Sequence, residues 1–171
     1  MVLFTMVGRA SVRKIVTGGQ TGVDRAAFDV GLVRGIDIGG WCPRGRRAED
    51  GAVPMRYSMH ETFSDDYASR TRRNVEESDG LLLLHEGILD EGSIYAVETA
   101  EMLGKPVRQV NIRDQVADQV PEIYHWIQEN QISILNVGGP RESSNPGIHQ
   151  KARIWLECLA DSITQDAVHS G

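Results

Sequence analysis

Gly18-Gly19-Gln20-Thr21-Gly22-Val23-Asp24-Arg25 brings glycines, an amide, a hydroxyl, a carboxylate and a guanidinium into one short stretch. The β-branched run Lys14-Ile15-Val16 leads into it, and helical spacing follows at once through Val23, Ala26, Ala27 and Val30. Glycines at such a turn permit positive φ and let backbone N–H groups come close to a ligand. The following helix aims its unpaired N–H groups and the positive end of its dipole at the same point. Strand, glycine turn and helix start together make an anion site, phosphate being the usual anion. The spacing is neither G-x-x-x-x-G-K-[ST] nor G-x-G-x-x-G, so neither a P-loop nor a dinucleotide fingerprint is licensed. The competing reading is a tight strand-to-helix turn that binds nothing.

Other stretches carry compatible chemistry. Arg44, Gly45, Arg46 and Arg47 lie in the loop Cys42–Gly51, where forked guanidinium donors would clamp phosphate or simply be solvated beside Glu49 and Asp50. Gly92-Ser93 opens a helix, and Ser93 is suited to cap it or to donate to an oxygen. Gly138-Gly139-Pro140-Arg141-Glu142-Ser143 is a second glycine turn, with Arg141 the preferred single anion contact. Arg25 would meet the ligand from the first helical turn or pair with Asp24 or Asp29. Asp24 and Glu142 would hydrogen-bond a ligand's polar groups, act as acid and base, or cap helices. Gln20 and Thr21 would read a ring edge. His85, Trp41 and Cys42 are explained as well by packing as by ligand contact.

The elements that must position these groups alternate between strand and helix. A helix over Val23–Arg34, ended by Gly35, precedes a strand over Ile36–Trp41 and a long loop to about Ser58. Met59–Thr62 reads as a brief strand, and Ser64 as the N-cap of a helix running to about Ser78. Leu81–Leu84 is a bare apolar run fitting a central strand buried on both faces. The Gly92-Ser93 helix ends at Gly104, and Val107–Ile112 is a further strand. The next helix is placed from Pro121, the next strand over Ile132–Val137, and the final helix after an Asn145 cap and Pro146. This alternation predicts a parallel sheet covered by helices on both faces. In such sheets ligands sit beyond the carboxyl ends of the strands. Gly18–Gly22, Trp41–Arg47, His85–Ser93 and Gly138–Ser143 would all open on that edge.

Length and composition narrow the classes. A chain of 171 residues, 40% hydrophobic and 25% charged, fits one globular domain over 13–165, with 1–12 a leader or extra strand. A net charge of −6 disfavours a nucleic-acid partner. Arginines clustered within an acidic chain suit a small anionic ligand. The cysteines, Cys42 and Cys158, form no C-x-x-C pair, so no metal site is expected and a reducing cytoplasm is. No apolar stretch reaches membrane-spanning length.

The stretches Gly18–Ala27, Gly39–Gly51 and Asn136–Ser143 resemble the putative molybdenum carrier family, also described as circularly permuted YpsA-like within the SLOG superfamily. The resemblance runs from about Lys14 to about Leu159. It implies an α/β, Rossmann-like three-layer sandwich with a mainly parallel sheet flanked by helices. It also implies a small-molecule binder, either a molybdenum cofactor carrier or a nucleotide-derivative binder, that forms homo-oligomers and has molybdoenzymes as partners. The chain departs from the family pattern at Glu91-Gly92-Ser93, where a Gly-Gly-Thr turn is expected. The carboxylate of Glu91 there motivates a second alternative, a regulatory or scaffold protein without ligand. The first alternative is a phosphoribohydrolase-like enzyme cleaving a nucleotide N-glycosidic bond through Glu142, Asp24 or Glu98 with an arginine. The P-G-G-x-G-T-x-x-E signature of that enzyme group is absent, so binding rather than catalysis is the primary expectation.

Overall fold

The computed structural model describes residues 11–114 and 116–169. Most of the expected 1–12 leader therefore lies outside the described residues; Val12, its last residue, is buried in the core. The chain runs β1 (Lys14–Val16), α1 (Val23–Arg34), β2 (Asp37–Gly39), β3 (Trp41–Cys42), β4 (Arg47–Ala48), β5 (Gly51–Ala52), β6 (His60–Glu61) and α2 (Tyr67–Glu76). It continues β7 (Gly80–His85), α3 (Glu91–Met102), β8 (Val107–Asn111), α4 (Val116–Glu129), β9 (Ile134–Gly138) and α5 (Ile148–His169). Five strands form one parallel sheet in the order β2-β1-β9-β7-β8. The fold is an α/β three-layer sandwich.

Alternation along the strands sorts side chains to two different covers. Ile15, Leu82, Leu84, Val110, Leu135 and Val137 meet α1, α4 and α5 in the larger core, around the buried Trp126, Trp155 and Leu159. Leu81 and Leu83 point the other way, onto Val75 of α2 and Ala96, Val97 and Ala100 of α3. The run Leu81–Leu84 is apolar throughout because both faces of β7 are roofed. A third cluster of Phe28, Cys42, Ala48, Val53 and Tyr57 lies under the long segment after β2.

Several elements depart from the sequence-based expectation. The strand predicted over Ile36–Trp41 divides at Gly40 (φ 122°), where any Cβ would overlap the Thr17 carbonyl. The turn sends Trp41–Cys42 to pair with His60–Glu61 outside the main sheet. The long loop is folded on itself: a 3-10 turn at Arg44–Arg46 precedes an antiparallel β4–β5 hairpin with Glu49 and Asp50 at its tip. The α2 cap is Asp66, which takes the Ser69 N–H at 2.7 Å, while the Ser64 hydroxyl turns to the Asp66 carboxylate. Pro121 lies inside α4, which starts at Val116. Val116 and Val120 pack with Ile123 and Ile127, and that burial outweighs the usual tendency of proline to begin a helix. Nor does Asn145 cap a helix begun by Pro146. Instead, α5 starts at Ile148, and the Glu142 carboxylate receives the N–H groups of Gly147 (2.5 Å) and His149 (3.1 Å).

Candidate functional site

A cavity of about 320 Å³ opens at the carboxyl edge of the sheet and sinks between α2 and α3. Its floor is Leu81, Leu83 and Asn136, from β7 and β9. The β1 turn contributes Gly18, Gln20 and Asp24, and the β9 turn Gly138, Gly139 and Arg141. The N-terminal turn of α3 supplies Asp90, Glu91, Gly92 and Ser93, and α2 supplies Tyr67, Arg70 and Asn74. The site lies where the chain, having laid β2 beside β1 and β8 beside β7, returns as β9 between the two pairs. Such a reversal leaves a crevice at the strand ends.

The walls carry both signs of charge. Asp24 is buried, and desolvation pushes its carboxyl up to about 6 against the opposing pull of Arg70 and the Gln20 N–H. The Arg70 guanidinium stands 3.9 Å from the Asp24 carboxylate and lies over Gly18, where any side chain would overlap it. Glycine at 18 thus makes room for an arginine arriving from another helix. The Nε of Arg70 and the hydroxyl of Ser93 are both buried without a hydrogen-bond partner. Buried polar groups are nearly always paired, so two orphans on residues that line one cavity mark groups suited to a ligand or water. Asp90 caps α3 by accepting the Ser93 N–H at 2.9 Å, and its second oxygen takes the Arg141 N–H at 3.4 Å.

Of the residues singled out in the sequence, Gly18, Gln20, Asp24, Gly92, Ser93, Gly138, Gly139 and Arg141 line this cavity. Gly19, Thr21, Gly22, Arg25, Arg44, Gly45, Arg46, Pro140, Glu142 and Ser143 stand outside its walls. Gly22 (φ 81°) packs against the Pro140 carbonyl and lets the two glycine turns touch. Arg25 grips Asp50 with both forks, at 2.5 and 2.7 Å. Arg46 ties down the carbonyls of Val53, Pro54 and Tyr57, while Arg44 and Gly45 are exposed. Arg47 stacks over Tyr67. Glu142 serves as the α5 cap described above.

Arg70 was not singled out in the sequence. Arg72 and Arg73 have acids four residues on and pair with Glu76 and Glu77. Arg70 has Asn74 there instead. An arginine without its helical partner is the signal that distinguishes it.

Residues 15–160 match the model of the circularly permutated YpsA SLOG family. The chain belongs to that family. Among solved structures, the SLOG fold seen here is similar to the crystal structure of "Putative molybdenum carrier protein" from Syntrophus aciditrophicus SB. The two share 39% identity over 90% of this chain and 98% of that one, with a TM-score of 0.86. No curated protein matches. Among the described residues no cluster of His, Cys, Asp and Glu is arranged to hold a metal ion, and no helix is long and apolar enough to cross a membrane. This kinship supports a role in binding a small molecule or nucleotide derivative.

Proposed function

We propose that the chain binds one anionic ligand of mononucleotide size in the cavity between α2 and α3, either a nucleotide derivative or the phosphate-bearing pterin of molybdenum cofactor. The observation that carries this reading is that two residues lining one cavity, Arg70 and Ser93, each hold a buried polar atom, Nε and Oγ, without a hydrogen-bond partner. A volume of about 320 Å³ suits a mononucleotide-sized molecule. Arg70 and Arg141 would meet its anionic group, Tyr67 and Tyr95 its ring, and Gln20 and Asn136 its polar edge. Molybdenum cofactor would be cargo, with the metal carried by the pterin. A carrier of this kind would work as a homo-oligomer and hand its cargo to molybdoenzymes. The free thiols Cys42 and Cys158 favour a cytoplasmic setting.

A second reading, hydrolysis of a nucleotide N-glycosidic bond, rests on Asp24. It is the carboxylate that combines a place in the cavity with a pKa near 6, whereas Glu98 is exposed and Glu142 is engaged as a cap. Release of free base from AMP or GMP, lost in Asp24→Asn, would establish it.

Thermal unfolding against AMP, GMP, ADP-ribose and molybdenum cofactor tests the primary reading. A ligand at about a hundred times its Kd stabilises by roughly 2.7 kcal/mol. For a chain of this size that is a Tm rise of about 5–10 °C. Arg70→Met should weaken the active ligand by more than about tenfold, as expected when a buried charged contact is removed. Absence of any shift across the panel would overturn the reading.

A further inference from the structure

Beside the cavity the chain has placed one of its own carboxylates where an anion would sit. Glu49, at the tip of the β4–β5 hairpin, receives the hydroxyl of Thr21, the hydroxyl of Ser143 and, at 3.1 Å, the backbone N–H of Ser143. The Arg141 guanidinium approaches to 3.8 Å. Burial of the carboxylate works against its ionisation. Hydrogen bonds from Ser143 and Thr21 override that, and its pKa lies below the usual carboxylate value. The donors come from both glycine turns, and the Thr21 hydroxyl also accepts the Glu142 N–H at 3.1 Å. Two hydroxyls, a backbone N–H and a guanidinium around two oxygens form the donor set that recognises a phosphoryl or other tetrahedral oxyanion.

The surrounding contacts separate the Glu49 side chain from its backbone. The Glu49 N–H donates to the side-chain amide oxygen (Oε1) of Gln20 at 2.9 Å, and neighbouring Asp50 is gripped by Arg25. Arg46 anchors the base of the hairpin on main-chain carbonyls. The backbone of the hairpin tip is therefore held independently of the Glu49 carboxylate, so outward rotation of the side chain would break its bonds to Thr21 and Ser143 and leave the hairpin in place. Of the donors around the Glu49 carboxylate, Arg141 also lines the cavity, which connects this position to its edge.

We propose that Glu49 is an intramolecular competitor, its carboxylate filling an oxyanion subsite of Thr21, Ser143 and Arg141 that the ligand's phosphoryl group takes when Glu49 swings out. The proposal rests on the cavity reading above and adds to it a second anion position with a built-in occupant. Anion affinity in the native chain is then reduced by the fraction of molecules in which Glu49 is seated. If about one molecule in ten has the side chain out, removing it raises apparent affinity about tenfold.

Calorimetric titration of the native chain, Glu49→Gln and Glu49→Ala with AMP and with inorganic phosphate tests this. Glu49→Ala should bind tighter by about tenfold, and Glu49→Gln, which keeps the shape without the charge, by less. Ser143→Ala added to Glu49→Ala should abolish the gain. A gain for AMP alone identifies the phosphoryl group of a nucleotide as occupant, and a gain for phosphate as well identifies a general oxyanion site. Unchanged or weaker binding by folded Glu49→Gln and Glu49→Ala overturns the proposal. If the native chain still binds AMP in an Arg70-dependent way, the cavity reading survives that failure. Absence of AMP and phosphate binding in every variant overturns both.

Discussion

Asp24 is the side chain whose environment departs most from its solution chemistry, and pH reads it directly. In the unfolded chain its carboxyl titrates at 3.8, and in the folded chain near 6. Between those values the native state holds a proton the unfolded state has released, so its contribution to stability falls as pH rises from about 4 to about 6. A shift of this size corresponds to about 3 kcal/mol. Asp24→Asn keeps an oxygen for the Gln20 N–H and removes the ionisation. Urea unfolding at pH 4, 5, 6 and 7 should therefore show the variant gaining on the native chain with rising pH. Parallel stability curves would refute this account of the site. The fate of the arginines shows what a sequence conceals at this scale. A guanidinium fork suits carbonyls and carboxylates as well as phosphate. Arg46 and Arg25 were consequently indistinguishable in sequence from ligand-binding residues, although the fold uses them to tie down the hairpin. Arg70 arrives from a helix far along the chain, and its aim depends on a tertiary approach over Gly18 that local spacing does not encode.

At the scale of elements, the glycine turns were legible because their residue types answer to backbone geometry. Gly22 combines φ of 81° with a Cβ position that would meet the Pro140 carbonyl. Gly22→Ala should cost about 2 kcal/mol or more, from left-handed strain together with overlap. Differential scanning calorimetry should register this as a Tm lower by about 4–8 °C. A shift under about 1 °C would mean that the two turns do not depend on close approach there. The strands and helices of the sandwich were legible for a similar reason, since their apolar periodicity is set by burial. Segment 42–58 was not, because its order comes from side-chain anchors rather than periodicity. Arg46, Asp50 and the Tyr57 ring buried against Phe28 hold short hairpin strands that no repeating pattern announces. The start of α4 ahead of Pro121 has a related cause: Val116 and Val120 extend the buried stripe of the helix across the proline, and the packing decides.

On the scale of the whole molecule, the strand nearest the middle of the sheet comes last in the sequence. β9 hydrogen-bonds to β1 on one side and β7 on the other, so until residues 134–138 are made the sheet exists as two separate strand pairs. The larger core over both pairs is completed only when α5 adds Trp155 and Leu159 to the side chains of α1 and α4. Long-range parallel pairing of this kind is slow to form and leaves apolar surface open in the meantime. Synthesis on the ribosome thus imposes an order: the N-terminal three-quarters must wait, unfinished and in need of protection, for its keystone. Nascent chains stalled with residues up to 130 outside the exit tunnel should be digested by protease and should engage chaperones. Chains stalled once α5 is fully exposed should resist digestion. Protease resistance in the shorter chains would show that the pairs fold independently, with β9 inserted afterwards into an opened sheet.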